Sequence, residues 1–342
     1  MIWRSKAPFR LGLAGGGTDV SPYCDLFGGA ILNVTISLYA HTSIETIAEP
    51  KVIFHSIDQN KYLEFELGQL APLSKGLDLQ AGLYNYLFRE GSIGQQGLKL
   101  STSMDVPAGS GLGTSSTLMV SLLKAFSEML NLPFGDYDLA HKAYEIERID
   151  LGLAGGRQDQ YAATFGGVNF MEFYKDDKVI VNPLRIKSEY INELENNILL
   201  FFTSTNRSSS EIIKEQQKNV SSNNLDSIEA MDQLKEQSRM MKEALLKGKI
   251  NEIGEILDFG FEQKKKIAQN ISNSVLDEIY DTAKKAGASG GKISGAGGGG
   301  FMFFYCPGTT KYKVIDSLKN YGGDFRNYQF TPQGARSWKS IN

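Results

Sequence analysis

The stretch Asp105-Val-Pro-Ala-Gly-Ser-Gly-Leu-Gly-Thr-Ser-Ser-Thr-Leu118 places three glycines within five residues, directly before a run of hydroxyl side chains. Glycine adopts positive φ without strain and lets the backbone approach a ligand closely. The first turn of a helix adds unpaired N–H groups and about half a positive charge. These features predict a phosphate-binding loop at the start of a helix. Because no lysine follows Gly113, the pattern is not that of a P-loop.

Length and composition indicate a globular protein with two domains. The chain has 342 residues, of which 41% are hydrophobic and 22% charged. The formal net charge is −3 and the basic residues are scattered, which argues against a nucleic-acid partner. No apolar run is long enough to cross a bilayer, and the N-terminal residues do not resemble a signal peptide. We therefore expect a cytoplasmic protein without a membrane partner.

Cysteine and histidine are too few to predict a disulfide framework, a zinc site or a Ser-His-Asp triad. Cys24 and Cys306 lie far apart in the sequence. His41, His55 and His141 share no motif with cysteine or with acidic residues. Another chemistry must therefore act on the phosphate.

Hydrophobic periodicity divides the chain into a strand-rich half and a helix-rich half. The change of pattern between Arg185 and Leu194 predicts two domains, residues 1–190 and 191–342. The first half predicts strands at 2–10, 29–36, 39–47, 52–57, 62–65 and 98–104, helices at 77–89, 115–130 and 137–151, and a hairpin at 168–183. The second half predicts strands at 197–203, 301–306 and 327–330, and helices at 209–217, 225–246, 249–270, 275–286 and 311–320. Thr114 is the predicted N-cap of the helix after the glycine loop.

One carboxylate falls on the apolar face of the helix predicted at 137–151. On a helical wheel, Glu147 lies within the arc of apolar residues that ends with Ile149, whereas Arg148 lies outside it. Asp150 lies within the arc at the end of the helix. A buried carboxylate needs a partner, so Glu147 is either half of a structural ion pair or a functional group.

A second glycine-rich segment, residues 287–300, contains eight glycines in fourteen residues and is followed at once by an apolar strand. A flexible linker is one interpretation of this composition. Its position between a periodic helix and a buried strand favours a loop that closely approaches a ligand or another backbone.

Three segments, residues 7–19, 107–116 and 292–300, resemble the motifs of the GHMP kinases, the superfamily of galactokinase, homoserine kinase, mevalonate kinase and phosphomevalonate kinase. The likeness spans essentially the whole chain in the expected order. Pro107-Ala-Gly-Ser-Gly-Leu-Gly-Thr-Ser-Ser116 is similar to the family's P-x-x-x-G-L-G-S-S-A, and departs from it at Thr114 and Ser116. The resemblance implies an α+β, two-domain fold with a ribosomal-protein-S5-like N-terminal domain and a ferredoxin-like C-terminal domain.

The resemblance also implies ATP-dependent phosphoryl transfer with Mg²⁺. Asp159 matches the family's catalytic base and Arg10 the cation that neutralises charge beside it. Ser115 and Glu147 match the magnesium ligands. The residues expected to bind ATP are Pro107, Gly109, Ser110, Gly111, Gly113, Thr114 and Ser115.

Residues 15–19, 156–163, 205–210 and 290–300 are further similar to bacterial D-glycero-D-manno-heptose phosphate kinases. Gly16 and Gly17 stand where galactokinases carry Glu-His, which implies room for a larger sugar. A guanidinium fork suits phosphate, so Arg207 is the candidate for a phosphate already on the sugar. The residues expected to bind the substrate are Gly16, Gly17, Thr18, Asp19, Arg207, Gly297 and Gly298.

We therefore expect an ATP-dependent kinase that phosphorylates the anomeric hydroxyl of D-glycero-D-manno-heptose 7-phosphate, for cell-surface polysaccharide precursors. Two alternatives stay open: a kinase for another sugar, such as L-fucose or galactose, and a catalytically inactive sensor of ATP and sugar. Lys264 to Lys266 are expected on a solvated helix face, with the alternative that one of them reaches the substrate. A homodimer is compatible with the sequence.

Overall fold

Two β-sheets flanked by helices make up the computed structural model, which describes residues 1–74, 76–204 and 209–341. The strands of the first sheet are β1 (Ile2–Ala14), β2 (Gly29–Ile47), β3 (Lys51–Ser56), β4 (Lys61–Glu66), β5 (Gly97–Met104), β6 (Val168–Phe173), β7 (Val179–Pro183) and β12 (Arg336–Lys339). They pair in the order β12-β1-β2-β5-β3-β4, with β6 on β2 and β7 on β6. The β3–β5 pair is parallel and the other pairs are antiparallel.

The second sheet has four strands in the described residues. Its strands are β8 (Ile198–Phe202), β9 (Gly290–Ile293), β10 (Phe301–Tyr305) and β11 (Asp324–Arg326), in the order β11-β8-β10-β9. The helices are α1 (Tyr23–Phe27), α2 (Asp78–Arg89), α3 (Thr114–Leu130), α4 (Asp136–Tyr144), α5 (Gln158–Phe165), α6 (Ser188–Asn197), α7 (Ser209–Ser221), α8 (Leu225–Lys247), α9 (Ile253–Ile267), α10 (Ser274–Lys285) and α11 (Lys311–Leu318). Along the described ranges, no helix is both long and apolar enough to cross a lipid bilayer.

α3 begins at the glycine loop and packs its apolar side on the first sheet. Met119, Leu122 and Phe126 are each fully buried in the main core, beside side chains of β1 and β2. The helix predicted at 115–130 is thus confirmed, because α3 spans Thr114–Leu130. Because α3 packs on the sheet in this way, the glycine loop that precedes it has a fixed position relative to the sheet.

β2 is one strand, although the sequence predicts two. The register with β1 shifts between Pro8, which pairs with Tyr39, and Arg10, which pairs with Thr35. The residues between Thr35 and Tyr39 bulge locally without ending the strand. The main-chain N–H of Arg10 instead donates to the carbonyl of Leu112 at 3.3 Å. The irregularity therefore brings β1 against the glycine loop.

The strand predicted at residues 327–330 is wrong. Phe330 forms only an isolated bridge with Ile36, and β11 ends earlier, at Arg326. The chain leaves the second sheet here because Thr331 bonds to Thr35 of the first sheet: the Thr331 N–H donates to the Thr35 carbonyl at 3.0 Å, and the Thr35 hydroxyl donates to the Thr331 carbonyl at 2.7 Å. β12 then pairs with β1. The domain boundary at residue 190 stays a prediction. Residues 336–339 lie beyond that boundary in the sequence but belong to the first sheet.

The second glycine-rich segment lies directly against the glycine loop. The N–H of Phe301 donates to the carbonyl of Ser110 at 2.9 Å. A Cβ atom on Gly295 would lie 2.8 Å from the Cα of Gly111, and one on Gly300 would lie 2.4 Å from the Ser110 carbonyl oxygen. The predicted close approach to another backbone is therefore confirmed, and it brings the two motifs together.

This contact predicts unequal costs for two glycine substitutions. Gly300 and Gly308 both have positive φ, 84° and 61°, but a Cβ on Gly308 would meet nothing within 4 Å. Gly308→Ala should cost about 1 kcal/mol for backbone strain alone. Gly300→Ala should cost about 1–3 kcal/mol more, because the Ser110 carbonyl must move. Urea unfolding measures both, and equal losses would contradict the contact.

Candidate active site

The glycine loop ends where α3 begins, as predicted. Gly109, Gly111 and Gly113 have φ values of 75°, 86° and 78°. The N-cap residue is Gly113, so the prediction of Thr114 was wrong. The reason is that the Thr114 hydroxyl accepts the N–H of Gly109 at 3.1 Å and closes the loop instead. Among the described residues no side chain caps α3, which leaves its first N–H groups for an anionic ligand.

Arg10 and Asp159 form an ion pair where β1, α5 and the glycine loop meet. Arg10 Nε donates to Asp159 Oδ1 at 2.6 Å, and Arg10 is only 3% exposed. Another guanidinium N–H donates to the Gly111 carbonyl at 2.8 Å. The guanidinium is thereby fixed between the predicted base and the loop, where it can neutralise negative charge.

Glu147 is fully buried, as the helical wheel predicts. Its Oε1 accepts the Ser115 hydroxyl and lies 3.2 Å from the Arg148 guanidinium. Its Oε2 accepts Ser116 Oγ and Gln160 Nε2, each at 2.7 Å. Both oxygens of the carboxylate therefore have partners, and two of these partners lie on the first turn of α3.

The helix that carries Glu147 changes its winding just before it. α4 ends at Tyr144, and a π-helical segment continues over Glu145–Asp150. A π-helix has more residues per turn than an α-helix, so the helical wheel loses its phase beyond Glu145. The sequence placed Ile149 and Asp150 on the apolar arc, whereas Ile149 is 64% exposed and Asp150 is also exposed.

Ser115 and Glu147 together offer the oxygen ligands that Mg²⁺ prefers. Their hydroxyl and carboxylate lie in direct contact at the start of α3. Proteins usually hold Mg²⁺ with one or two carboxylates together with phosphate oxygens and water. In the described ranges, no three His, Cys, Asp or Glu side chains gather as a complete metal site. The donor set therefore fits Mg²⁺ held jointly with a nucleotide.

Asp19 faces the N-terminus of α5, the helix that carries Asp159. Its Oδ2 accepts the main-chain N–H groups of Arg157 at 2.8 Å and Gln158 at 3.0 Å. Burial raises the pKa of Asp19 above its ordinary value, the Gln158 N–H opposes this shift, and the charge of Asp159 adds to it. Asp19 thus orients the helix of the predicted base, a role that the sequence did not reveal.

The other residues of the Gly15-Gly-Gly-Thr-Asp19 segment differ in their positions. Thr18 is fully buried, and its hydroxyl donates to the Gly15 and Ala30 carbonyls at 2.9 and 3.0 Å. Gly17 lines the cavity, and its carbonyl accepts Gln216 Nε2 at 2.8 Å. Gly16 is buried beside two lysines. Thr18 therefore shapes the loop, while Gly17 faces the ligand space.

A cavity of about 290 Å³ lies between the glycine loop and Asp19. It brings most of the predicted catalytic, metal and ATP residues to one place. The predicted residues that line it are Arg10, Gly17, Asp19, Gly109, Gly111, Gly113, Thr114, Ser115, Glu147 and Asp159.

Other predicted residues are not among the described lining of this cavity. Pro107 lies before the loop, and Ser110 is fully buried. Gly297 and Gly298 are buried too, and the Gly298 N–H donates to the Ile271 carbonyl at 2.8 Å. At that motif the lining residues are instead Gly295 and Ala296. Arg207 lies outside the described residues, so its role stays a prediction.

Lys264 is a lining residue that the sequence analysis placed on a solvated face. It is 3% exposed, and its ammonium donates to the Gly295 carbonyl, whereas Lys266 is exposed and Lys265 is half-buried. The helical spacing could have indicated this burial, because Lys264 follows Leu257 and Phe261 on the buried face of α9. The solvated-face prediction is therefore wrong for Lys264. Gln216 was also missed, because no motif marks it.

Burial makes the charge of Lys264 costly. Burial, and then the charge of Arg10, lower the pKa of Lys264 from 10.5 to about 8, against the opposing effect of Asp19 and Asp159. Lys292 is 2% exposed, and burial together with Lys264 and Arg10 holds its pKa well below the ordinary value. Two ammonium groups are thus buried at this end of the site.

Lys264→Met should remove a pH-dependent penalty on folding. Between pH 8 and 10.5 the unfolded chain holds the proton and the folded chain does not, so wild-type stability rises with pH there. Loss of the Gly295 hydrogen bond offsets part of the gain at pH 7. The stability advantage of the variant should shrink by about 1.4 kcal/mol per pH unit above pH 8.

Urea unfolding at several pH values measures this difference. Lys266→Met is the matched control, because Lys266 is exposed on the same helix, and its difference from wild type should stay flat. A pH-independent difference for Lys264→Met would show that folding does not lower the pKa of Lys264.

Two family patterns match the chain. The GHMP kinases N terminal domain matches residues 79–167, and the GHMP kinases C terminal domain matches residues 241–324. A D-glycero-alpha-D-manno-heptose 7-phosphate kinase from Campylobacter jejuni subsp. jejuni serotype O:2 is 46% identical over 336 residues, which cover 98% of each chain.

Solved structures agree with the family patterns. A D-glycero-D-manno-heptose 1-phosphate kinase from Bacteroides thetaiotaomicron has 43% identity and a TM-score of 0.84, covering 99% of this chain and 100% of the other. A putative sugar kinase from Campylobacter jejuni has 45% identity and a TM-score of 0.81, covering 98% of each chain. A mevalonate kinase with 22% identity and a TM-score of 0.75 shares the fold. The two-domain α+β fold implied by the motifs is confirmed.

Proposed function

Because the chain belongs to the GHMP kinase family and is a sugar kinase of the heptose phosphate kinase type, we propose that it phosphorylates D-glycero-D-manno-heptose 7-phosphate with ATP. The acceptor is the anomeric hydroxyl, and the product serves cell-surface polysaccharide synthesis. The observation that carries this proposal is the Arg10–Asp159 ion pair, which lies between the glycine loop and the Asp19 end of one cavity.

The glycine loop and α3 are the proposed site for the ATP phosphates. The positive φ of Gly109, Gly111 and Gly113 gives the loop its tight curve, and the first N–H groups of α3 face an anion favourably. Ser115 and Glu147 would hold Mg²⁺ beside these phosphates. When bound, Mg²⁺ neutralises charge on the phosphate oxygens. Buried hydrogen bonds to the Glu147 carboxylate hold these two side chains in position.

Asp159 is the proposed general base. It accepts the proton of the acceptor hydroxyl as that oxygen attacks the γ-phosphorus, and the bond to the β–γ bridging oxygen of ATP breaks. Arg10 lies against both Asp159 and the Gly111 carbonyl, so its charge acts on the base and on the phosphoryl group together. Asp19 and Gln158 lie at the acceptor end and are placed to orient sugar hydroxyls.

Two observations support a heptose phosphate as the acceptor. The Campylobacter jejuni relative that is 46% identical is described as a heptose 7-phosphate kinase. Gly16 and Gly17 add no side chains to the acceptor end, where a Cβ on Gly16 would still stand 3.7 Å from the nearest atom. The site therefore leaves more room there than one with two large side chains.

The identity of the acceptor is tested by ATP consumption with heptose 7-phosphate, heptose, fucose, galactose and mannose. We expect the highest kcat/KM with heptose 7-phosphate and no turnover after chelation of divalent cations with EDTA. A higher value with fucose or galactose would replace the heptose assignment, and binding of ATP without turnover of any sugar would favour the inactive sensor.

Asp159→Asn should preserve nucleotide binding and lower kcat by about 10²–10⁴, because an amide cannot accept the proton. Steady-state kinetics and ATP titration measure the two effects. Asp150→Asn is the control, since Asp150 is exposed and outside the described lining, and its kcat should stay within about twofold of wild type. Near-wild-type turnover in Asp159→Asn would show that Asp159 is not the general base.

A further inference from the structure

Three basic and two acidic side chains gather at the acceptor end of the cavity. Arg10, Lys264 and Lys292 are each 3% exposed or less, and the charges of Asp19 and Asp159 act on Lys264. Lys264 comes from α9 and Lys292 from β9, so both belong to the second half of the chain. Basic side chains therefore outnumber acidic ones in this cluster.

The two carboxylates of the cluster already have partners. Asp159 is paired with Arg10 at 2.6 Å, and Asp19 accepts the main-chain N–H groups at the start of α5. Lys264 donates to the neutral Gly295 carbonyl. Within the described part of the chain, neither Lys264 nor Lys292 forms an ion pair with a carboxylate. Buried ammonium groups without a counter-charge reduce stability, so a ligand is the natural source of the missing negative charge.

The amino groups of Lys264 and Lys292 both lie next to Gly16. A Cβ atom on Gly16 would be 3.7 Å from Lys264 Nζ and 3.9 Å from Lys292 Nζ, with no other atom within 4 Å apart from its chain neighbours. Lys264 lines the cavity, whereas Lys292 lies behind it. An ammonium group has three N–H donors, and Gly295 takes one of those of Lys264.

We propose that Lys264, which lines the cavity next to Gly16 and Lys292, binds a phosphoryl group of the substrate there. This inference rests on the proposed function, which supplies two sources of that group: the phosphate that the acceptor already carries and the phosphoryl group in transfer from ATP. Both are anions with acceptor oxygens suited to an ammonium donor. Lys264 is thus a substrate-binding residue contributed by the second half of the chain.

Binding of inorganic phosphate to the nucleotide-free protein tests the site without turnover. Isothermal titration should show about tenfold to hundredfold weaker binding for Lys264→Met, because a charge-assisted hydrogen bond is lost. Lys264→Arg keeps the charge and should recover most of the affinity. Lys266→Met is the matched control and should bind phosphate as wild type does. Phosphate affinity within twofold of wild type in Lys264→Met, or an equal loss in Lys266→Met, overturns the proposal.

Kinetics with two acceptors distinguish the sources of the phosphoryl group. If Lys264 binds the acceptor's phosphate, Lys264→Met raises KM for heptose 7-phosphate about tenfold or more and leaves unphosphorylated heptose unchanged. If it binds the group in transfer, kcat falls by the same factor with both acceptors. If wild type phosphorylates neither sugar but still binds phosphate through Lys264, the proposed function fails and this site stands.

Gly16→Asp keeps the inference testable if Lys264→Met does not fold. Gly16 has no positive φ, and a carboxylate there would lie beside both ammonium groups and take the place of the anion. We expect a higher melting temperature and loss of phosphate binding. Gly16→Asn has the same shape without the charge and should raise the melting temperature less. Equal melting temperatures and retained phosphate binding in Gly16→Asp contradict the site.

Discussion

The buried ion pair between Arg10 and Asp159 is the interaction on which the geometry of the site depends. Arg10 lies on β1, Asp159 on α5, and the guanidinium also bonds to the Gly111 carbonyl in the glycine loop. A planar guanidinium that donates through separate nitrogens to Asp159 and to the Gly111 carbonyl fixes the separation of these three elements. The half of the cavity formed by the glycine loop is thereby held in register with the half that Asp19 lines.

The close contact between the two glycine-rich motifs gives this arrangement its second constraint. Backbone lies against backbone at Gly111 and Gly295, and Ser294 Oγ donates to the same Gly111 carbonyl at 2.9 Å. Side chains at the glycines would separate the two halves of the chain. The contact also brings α9, and with it Lys264, to a cavity whose other charged walls come from the first half of the chain.

Local patterns predicted most strands and helices and the glycine loop, whereas the fold family and the roles of the site residues came from the resemblance to the GHMP kinases. Glycine spacing located the loop, and the helical wheel identified Glu147 as a buried carboxylate before any contact was known. The same wheel failed at Ile149, because a π-helical segment changes the number of residues per turn. Local periodicity carries no information about such a change.

Long-range contacts were beyond the sequence. The capping of α5 by Asp19 joins residues 138 positions apart, and the bond from Lys264 to Gly295 depends on how two sheets pack. A run of three lysines indicates a solvated face by composition, and only its register on α9 shows that one of them is buried. Tertiary packing decides such cases.

The central claim is that Arg10 and Asp159 act as one unit in phosphoryl transfer. The most direct measurement is the single-turnover rate of Arg10→Met, Asp159→Asn and the double variant with ATP and heptose 7-phosphate. The account predicts strong non-additivity, with the double variant within about tenfold of the slower single variant. Losses that multiply independently, so that the double variant shows the full product of both, would contradict it.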